Sequence, residues 1–325
     1  MTLPTNLQRA IDSELSGMSQ NMLADAVDGL SKRYREPRAQ RHYMASNIDR
    51  SAYIACRMPA TYAVICGVLA EIQNLYPEID PKTLVDLGSG PGTALWAAVE
   101  TFTSLEKLTA LEGDAQLIDL GKRLGSSAEE QILKDAEWKH QDLCQLVNCP
   151  SADIVIASYA LGELSSEMQL KLLAQAWQSA GKALVLIEPG TPAGFKRILD
   201  WRSWLIEAKA NILAPCPHEK VCPMSGSDWC HFSKRLSRTS LHRQLKSAAL
   251  GHEDEKYSYI VAVKQMPQVA LQATRGRILR HPQKHSGHLE MTLCSIDGTL
   301  EKKVISRRDG DLYKKARKLE WGDLI

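Results

Sequence analysis

Apolar residues recur at three- and four-residue spacing through most of the first 78 positions. The stretches LQRAIDSELSGM and MLADAVDGLSKRYRE keep that rhythm. TYAVICGVLAEIQNLYP keeps it most strongly and stops near Pro77. This is the pattern of amphipathic helices, so residues 1–78 are expected to form a helical N-terminal region. From about residue 81 to 264 the rhythm changes. Short β-rich apolar runs (TLVDLG, LTALEGD, ADIVIASYAL and KALVLIEPG) alternate with helix-period stretches such as SEMQLKLLAQAWQSA. Strands alternating with helices imply a parallel, doubly wound sheet. YSYIVAVK (Tyr257–Lys264) is expected to add a later strand to it.

From about residue 267 the texture changes again, to short strands with turns at Ser286-Gly287 and Asp297-Gly298. The expected organisation is therefore three units: residues 1–78, an α/β unit at 79–265 with a cysteine-rich insertion at 214–232, and a β unit at 266–325. No apolar run is seen that is long enough to span a bilayer. The first residues carry no apolar signal-peptide core and no Arg-rich transit pattern, so a cytoplasmic location is expected, with no membrane partner.

Charge refines this picture only locally. The 325 residues have a net charge of +2 and are 44% hydrophobic, enough for a sizeable core. The last unit, however, collects Arg275, Arg277, Arg280, Lys284, Lys302, Lys303, Arg307, Arg308, Lys314, Lys315, Arg317 and Lys318. A second basic stretch holds Lys32, Arg33, Arg35, Arg38, Arg41, His42 and Arg50, with Tyr34 and Tyr43 interleaved. It reads either as a solvated helix face or as an arm for phosphates and bases.

The sequence VDLGSGPGTALWAA places Gly88, Ser89, Gly90 and Gly92 between a strand and a helix. Glycines there let a backbone approach a ligand, and the helix start offers free N–H groups. The spacing G-x-G-x-G departs from the dinucleotide fingerprint G-x-G-x-x-G. Asp86 just before the loop would repel phosphates and suits a ligand bearing an ammonium. Glu112 ends the next strand, twenty residues beyond Gly92, where a carboxylate can accept from both ribose hydroxyls. Asp142, after the third strand, is placed to reach an adenine amino group. Together these residues look like the S-adenosylmethionine site of class I methyltransferases, against the alternative of a generic tight turn. The end of the fourth strand, ASYALGEL, lacks the D/N-P-P-Y/F pattern that holds an acceptor nitrogen, and no catalytic residue is assigned. Glu163 and Glu188 are pocket candidates or surface carboxylates.

Eight cysteines occur, and three of them, Cys216, Cys222 and Cys230, fall within fifteen residues as C-x5-C-x7-C. In a chain without an export signal, clustered thiols point to metal or redox chemistry. The spacing is neither the tight triplet of radical enzymes nor the paired C-x2-C of zinc ribbons. His218, His231 and Cys294 are the candidates for a fourth ligand. Spacing alone leaves an iron–sulfur cluster and structural zinc open.

The signature CPHEKVCP…WCHFSKRLSR, after the glycine loop and before a basic tail containing LCSIDG, resembles the small-ribosomal-subunit methyltransferase-like family over roughly residues 40–320. That family includes the mitochondrial small-subunit assembly factor and its bacterial relatives. The resemblance implies a class I methyltransferase (Rossmann-like) α/β fold. It implies a [4Fe–4S] cluster on Cys216, Cys222, Cys230 and Cys294, and binding of the small ribosomal subunit and its RNA. The resulting expectation is a monomeric assembly factor binding S-adenosylmethionine and a cluster. The alternatives are an active ribosomal RNA methyltransferase and a zinc-stapled methyltransferase with a non-RNA substrate.

Overall fold

The computed structural model describes residues 2–35, 44, 46–224, 227–246, 249–267 and 276–325, with the backbone alone at 34 and 35. Arg38, Arg41, His42, Tyr43 and Arg275, and the side chains of Tyr34 and Arg35, lie outside the described residues.

The apolar runs form strands because they are buried on both faces, as a central sheet under two helical layers requires. They are β1 (Thr83–Leu87), β2 (Lys107–Glu112), β3 (Glu137–His140), β4 (Ala152–Ser158) and β5 (Ala180–Pro189). β6 (Asn211–Ala214), β7 (Phe232–Ser237) and β8 (His252–Val263) complete one eight-stranded sheet. Its order is β3-β2-β1-β4-β5-β8-β6, with β7 also paired to β8. Strands β1 to β5 pair in parallel. This is the Rossmann-like α/β fold of class I methyltransferases.

Side chains alternate between the layers. Leu84, Ile154, Ile156, Val185 and Ile187 join one apolar cluster. Val85, Leu87, Val155, Leu184 and Leu186 join the other, under the helices Ser166–Ser179 and Pro192–Glu207. The first cluster also takes Leu7, Ile11, Leu23 and Leu30 of the N-terminal helices, so that region packs on the same core as the sheet.

Two expectations need correction. The sheet is not parallel throughout. β8, the expected late strand, is antiparallel to β5, β6 and β7. Residue periodicity records burial and not direction, so a strand that returns beside its neighbour reads like a parallel one. The second concerns the helical run Asn47–Leu75, which is long and apolar enough to cross a membrane by length and composition. In this fold, 78% of its apolar window is buried, as befits a core helix.

The basic tail forms a second sheet. β9 (Gly276–Ile278), β10 (Gln283–Lys284), β11 (His288–Ser295) and β12 (Leu300–Ser306) are all antiparallel, in the order β10-β11-β12 with β9 on β11. The two predicted turns are its hairpins, and Gly298 sits at φ +79°, where a side chain would be strained. Ile278, Leu289, Met291, Leu293, Ile305 and Tyr313 form its own small core.

The two sheets are tied by Arg277, which the sequence presents as one more cation of the basic tail. It is 2% exposed. Its Nη1 donates to Glu71 Oε1 (2.6 Å) and Gly322 O (2.5 Å), and its Nε to Pro215 O (2.8 Å). A buried charge must be paired, and removing one partner strands the other. Arg277→Ala is expected to lower stability by roughly 3 kcal/mol. The double variant Glu71→Ala/Arg277→Ala should lose less than the two single losses added. Urea unfolding of the four proteins checks both statements.

Candidate functional site

The loop after β1 is built around desolvated carboxylates. Asp86 is 1% exposed, and neither of its carboxylate oxygens has a hydrogen-bond partner among the described residues. Burial, with Glu112 nearby, pushes its pKa up to about 8. Gly88, Gly90 and Gly92 all have positive φ (71°, 54° and 86°), so this tight path needs glycine. A Cβ on Gly88 would lie 2.5 Å from Ala160 Cβ, so the loop packs directly against the chain leaving β4. Ser89 is buried in the same loop, and Gly92 caps the helix Thr93–Thr101.

Glu112 turns its carboxylate onto this loop. Oε2 accepts from Gly90 N (2.7 Å) and Oε1 from Asp114 N (2.9 Å). Burial raises its pKa against the lowering effect of those N–H groups. Asp142 is exposed beyond β3, and its Oδ1 accepts from Cys144 N (2.8 Å). Gln141 N donates to Glu112 O (2.8 Å), which keeps Asp142 next to the end of β2. The structure therefore brings Asp86, the glycines, Glu112 and Asp142 to the carboxyl ends of the parallel strands β1, β2 and β3. Asp86 lacks a cationic donor there, which an ammonium-bearing ligand such as S-adenosylmethionine would supply, so the residues fit that group.

The chain end of β4 adds features the sequence did not announce. Tyr159 has φ +60°, and its buried hydroxyl has no hydrogen-bond partner among the described residues. Arg57 lies over its ring (6.0 Å) and pairs with Glu255 through two 3.0 Å bonds. Arg57 ends a π-helical turn, Tyr53–Arg57, that interrupts the long apolar helix. No local pattern marks a left-handed tyrosine, because surrounding packing forces that conformation. Glu188 is buried and paired with Arg197, so it acts within the fold.

Among the described residues, the N-terminal cations Lys32, Arg33 and Arg50 are each paired with a carboxylate of the same chain. Arg33 pairs with Asp49, Arg50 with Asp114 (2.6 Å) and Lys32 with Asp28 (2.7 Å). The described part of that stretch is thus not a row of free phosphate contacts.

The thiols meet in a second place. Cys216 follows β6, Cys222 lies in the insertion, Cys230 precedes β7 and Cys294 is on β11. All four line one cavity with Phe195, Met224 and Leu279. Burial and the neighbouring thiols raise the Cys222, Cys230 and Cys294 pKa values, that of Cys294 to about 12. His218 also lines the cavity, with Nε2 3.3 Å from Cys294 Sγ. His231 does not, since its ring lies between Trp229 and Trp321.

Arg202 was missed by the sequence reading. It donates through Nε to Cys216 Sγ (3.2 Å) and through Nη2 to the carbonyls of His218 (2.7 Å) and Lys220 (2.9 Å). It is 4% exposed, on the face shared by Ile198, Trp201 and Leu205. An arginine within that apolar stripe was the available signal. Four soft sulfur donors without a carboxylate suit iron–sulfur or zinc. Arg202 and Arg277 offset the negative charge that deprotonated thiols would bring, so the residues fit such a centre.

The model of the family described as mitochondrial small ribosomal subunit Rsm22 matches residues 47–325. The chain belongs to the Rsm22 family. Among its relatives, the human ribosome assembly protein METTL17, mitochondrial, is 29% identical over 289 residues, 84% of this chain and 61% of that protein. The Rsm22-cox11 tandem protein 2, mitochondrial, of Schizosaccharomyces pombe is 27% identical over 324 residues, 84% of this chain and 42% of that protein. This Rsm22 chain thus spans less than two thirds of either relative's length. A solved magnesium protoporphyrin IX methyltransferase from Synechocystis PCC 6803 with bound SAH is 12% identical, with a TM-score of 0.42 over 76% of this chain and 99% of that one. That likeness adds nothing to the strand order. The expected cytoplasmic location is overturned, since these Rsm22 relatives are mitochondrial proteins by name. That expectation rested on the first residues lacking a recognisable signal or transit pattern, and such a lack does not fix a compartment.

An Asp86 carboxyl that titrates near 8 in the fold ionises near 4 when unfolded. Its contribution to stability is full below about pH 4 and is lost as pH rises through about 8. Relative to the ligand-free wild type, Asp86→Asn should therefore gain stability across that window, by up to about 1.4 kcal/mol per pH unit, and level off above it. Thermal unfolding from pH 5 to 9 measures this. A difference that stays flat with pH would show that Asp86 is already paired.

Proposed function

We propose that this chain supports assembly of the small ribosomal subunit by binding its RNA as a monomer. It holds S-adenosylmethionine through Asp86, Gly88, Ser89, Gly90, Gly92, Glu112 and Asp142. A [4Fe–4S] cluster on Cys216, Cys222, Cys230 and Cys294 pins the basic unit, residues 266–325, onto the α/β unit at 79–265 and its helical region, 1–78. One observation carries the reading. Three thiols of the insertion between β6 and β7 and one from β11 line a single cavity, and Cys294 reaches it from 64 residues beyond Cys230. Bound there, the cluster supplies a four-point tether between the sheets. S-adenosylmethionine supplies an activated methyl group.

The names of the human and fission-yeast relatives, a ribosome assembly protein and an Rsm22 tandem protein, support the ribosomal role. The exposed Lys302, Arg307, Arg308, Lys315, Arg317 and Lys318 supply a face for phosphates. A second reading, methyl transfer to the same RNA, rests on Tyr159. Backbone strain of this kind gathers at functional sites, and Tyr159 sits beside the glycine loop.

Anaerobic purification with iron, sulfide and zinc analysis separates the possibilities for the thiols. About four irons per chain with matching sulfide and broad visible absorption is expected. One zinc per chain would replace the cluster with a structural staple. Cys222→Ser is expected to lose the iron and weaken RNA binding, and wild-type affinity should fall steeply with salt. Unchanged affinity in Cys222→Ser would refute the tether. Gly90→Asp should abolish S-adenosylmethionine binding and impair subunit assembly while every methyl mark on the small-subunit RNA persists. Loss of one mark on deletion would establish the second reading.

A further inference from the structure

The β10–β11 hairpin holds chemistry that neither site uses. His285, His288 and Glu290 each present one ligand atom, all within 4.8 Å of one another. Hairpin geometry puts them there. Gln283 pairs with Glu290 and Lys284 with Leu289, and His285 N donates to His288 O at 2.9 Å. The two imidazoles therefore stand opposite each other across the Ser286-Gly287 turn. Residues two apart on a strand share a face, so His288 and Glu290 point outward together, while Leu289 and Met291 are buried. The rings stack with centroids 4.5 Å apart. Glu290 Oε1 lies 3.4 Å from His288 Nε2 and 3.9 Å from His285 Nε2. The three side chains are 40–50% exposed, so an ion reaches them from solvent.

We propose that His285, His288 and Glu290 form a binding site for a divalent transition-metal ion of the zinc class. Two imidazoles and one carboxylate favour such ions over magnesium or calcium, which prefer all-oxygen shells. Zinc at about 2.0–2.2 Å from each donor sets tetrahedral neighbours roughly 3.3–3.5 Å apart. His288 and Glu290 already meet that spacing, and His285 closes the rest by side-chain rotation. The ladder between β10 and β11 has only two paired positions. A bound ion therefore ties together strands that the backbone holds weakly, with its remaining coordination position open to water. The site is separate from the thiol cavity and does not depend on what fills that cavity.

Calorimetric titration of the full chain with Zn2+, its thiol centre left as purified, tests this. Wild type is expected to take up one ion more than His288→Ala. Glu290→Gln should weaken that ion by at least the roughly tenfold that losing an outer-shell partner costs. Equal uptake by wild type and His288→Ala overturns the proposal. Both substitutions are on exposed side chains, and thermal unfolding without zinc checks that the fold is kept. As a second readout, the imidazole nitrogen resonances of His285 and His288 should shift together on adding Zn2+. Resonances that stay in place also overturn it.

Discussion

A buried guanidinium cannot be left without acceptors, and this requirement organises the seam between the two sheets. Arg277 leaves β9 and finds Glu71 on the long core helix, Pro215 O at the start of the insertion and Gly322 O in the C-terminal segment. Its ladder partner on β11 is Cys294. Satisfying Arg277 therefore sets where Cys294 stands relative to Cys216, the residue after Pro215. Arg202 does the matching work from the other side by gathering the carbonyls of His218 and Lys220 and the Cys216 sulfur. Two cations, both inside the protein, shape the thiol cavity.

The glycine loop follows the opposite logic, with the buried Asp86 carboxyl left without a hydrogen-bond partner among the described residues. Burial, with Glu112 nearby, disfavours the ionised form of Asp86, and burial also raises the pKa of Glu112. The two places are connected by β8. Its Glu255 pairs with Arg57 above Tyr159, and three residues on, the Ser258 hydroxyl donates to Cys230 O (2.8 Å). One strand thus borders both the end of β4 and the thiol cavity.

Much of the fold was legible because burial on both faces of a sheet leaves continuous apolar runs. The runs at 83–88, 108–114, 152–161 and 182–190 became strands for that reason, and positive φ at Gly88, Gly90 and Gly92 matched the reading of the loop. Arg277 and Arg202 were not legible in the same way. A charge in the sequence reads as solvated unless its partner is known, and Glu71 lies 206 residues from Arg277.

The sequence by itself determined the long apolar strands and the helices between them, where the glycine loop falls, and that sulfur and carboxylate chemistry are concentrated at a few positions. These follow from local preferences and from the period of burial. Tertiary structure alone decided the antiparallel direction of β8, the burial of Arg277 in place of exposure, the left-handed Tyr159 and the placing of Arg202 against the Cys216 sulfur. Each of these depends on which distant groups become neighbours, and that is fixed only when the layers pack and every buried charge must find its partner.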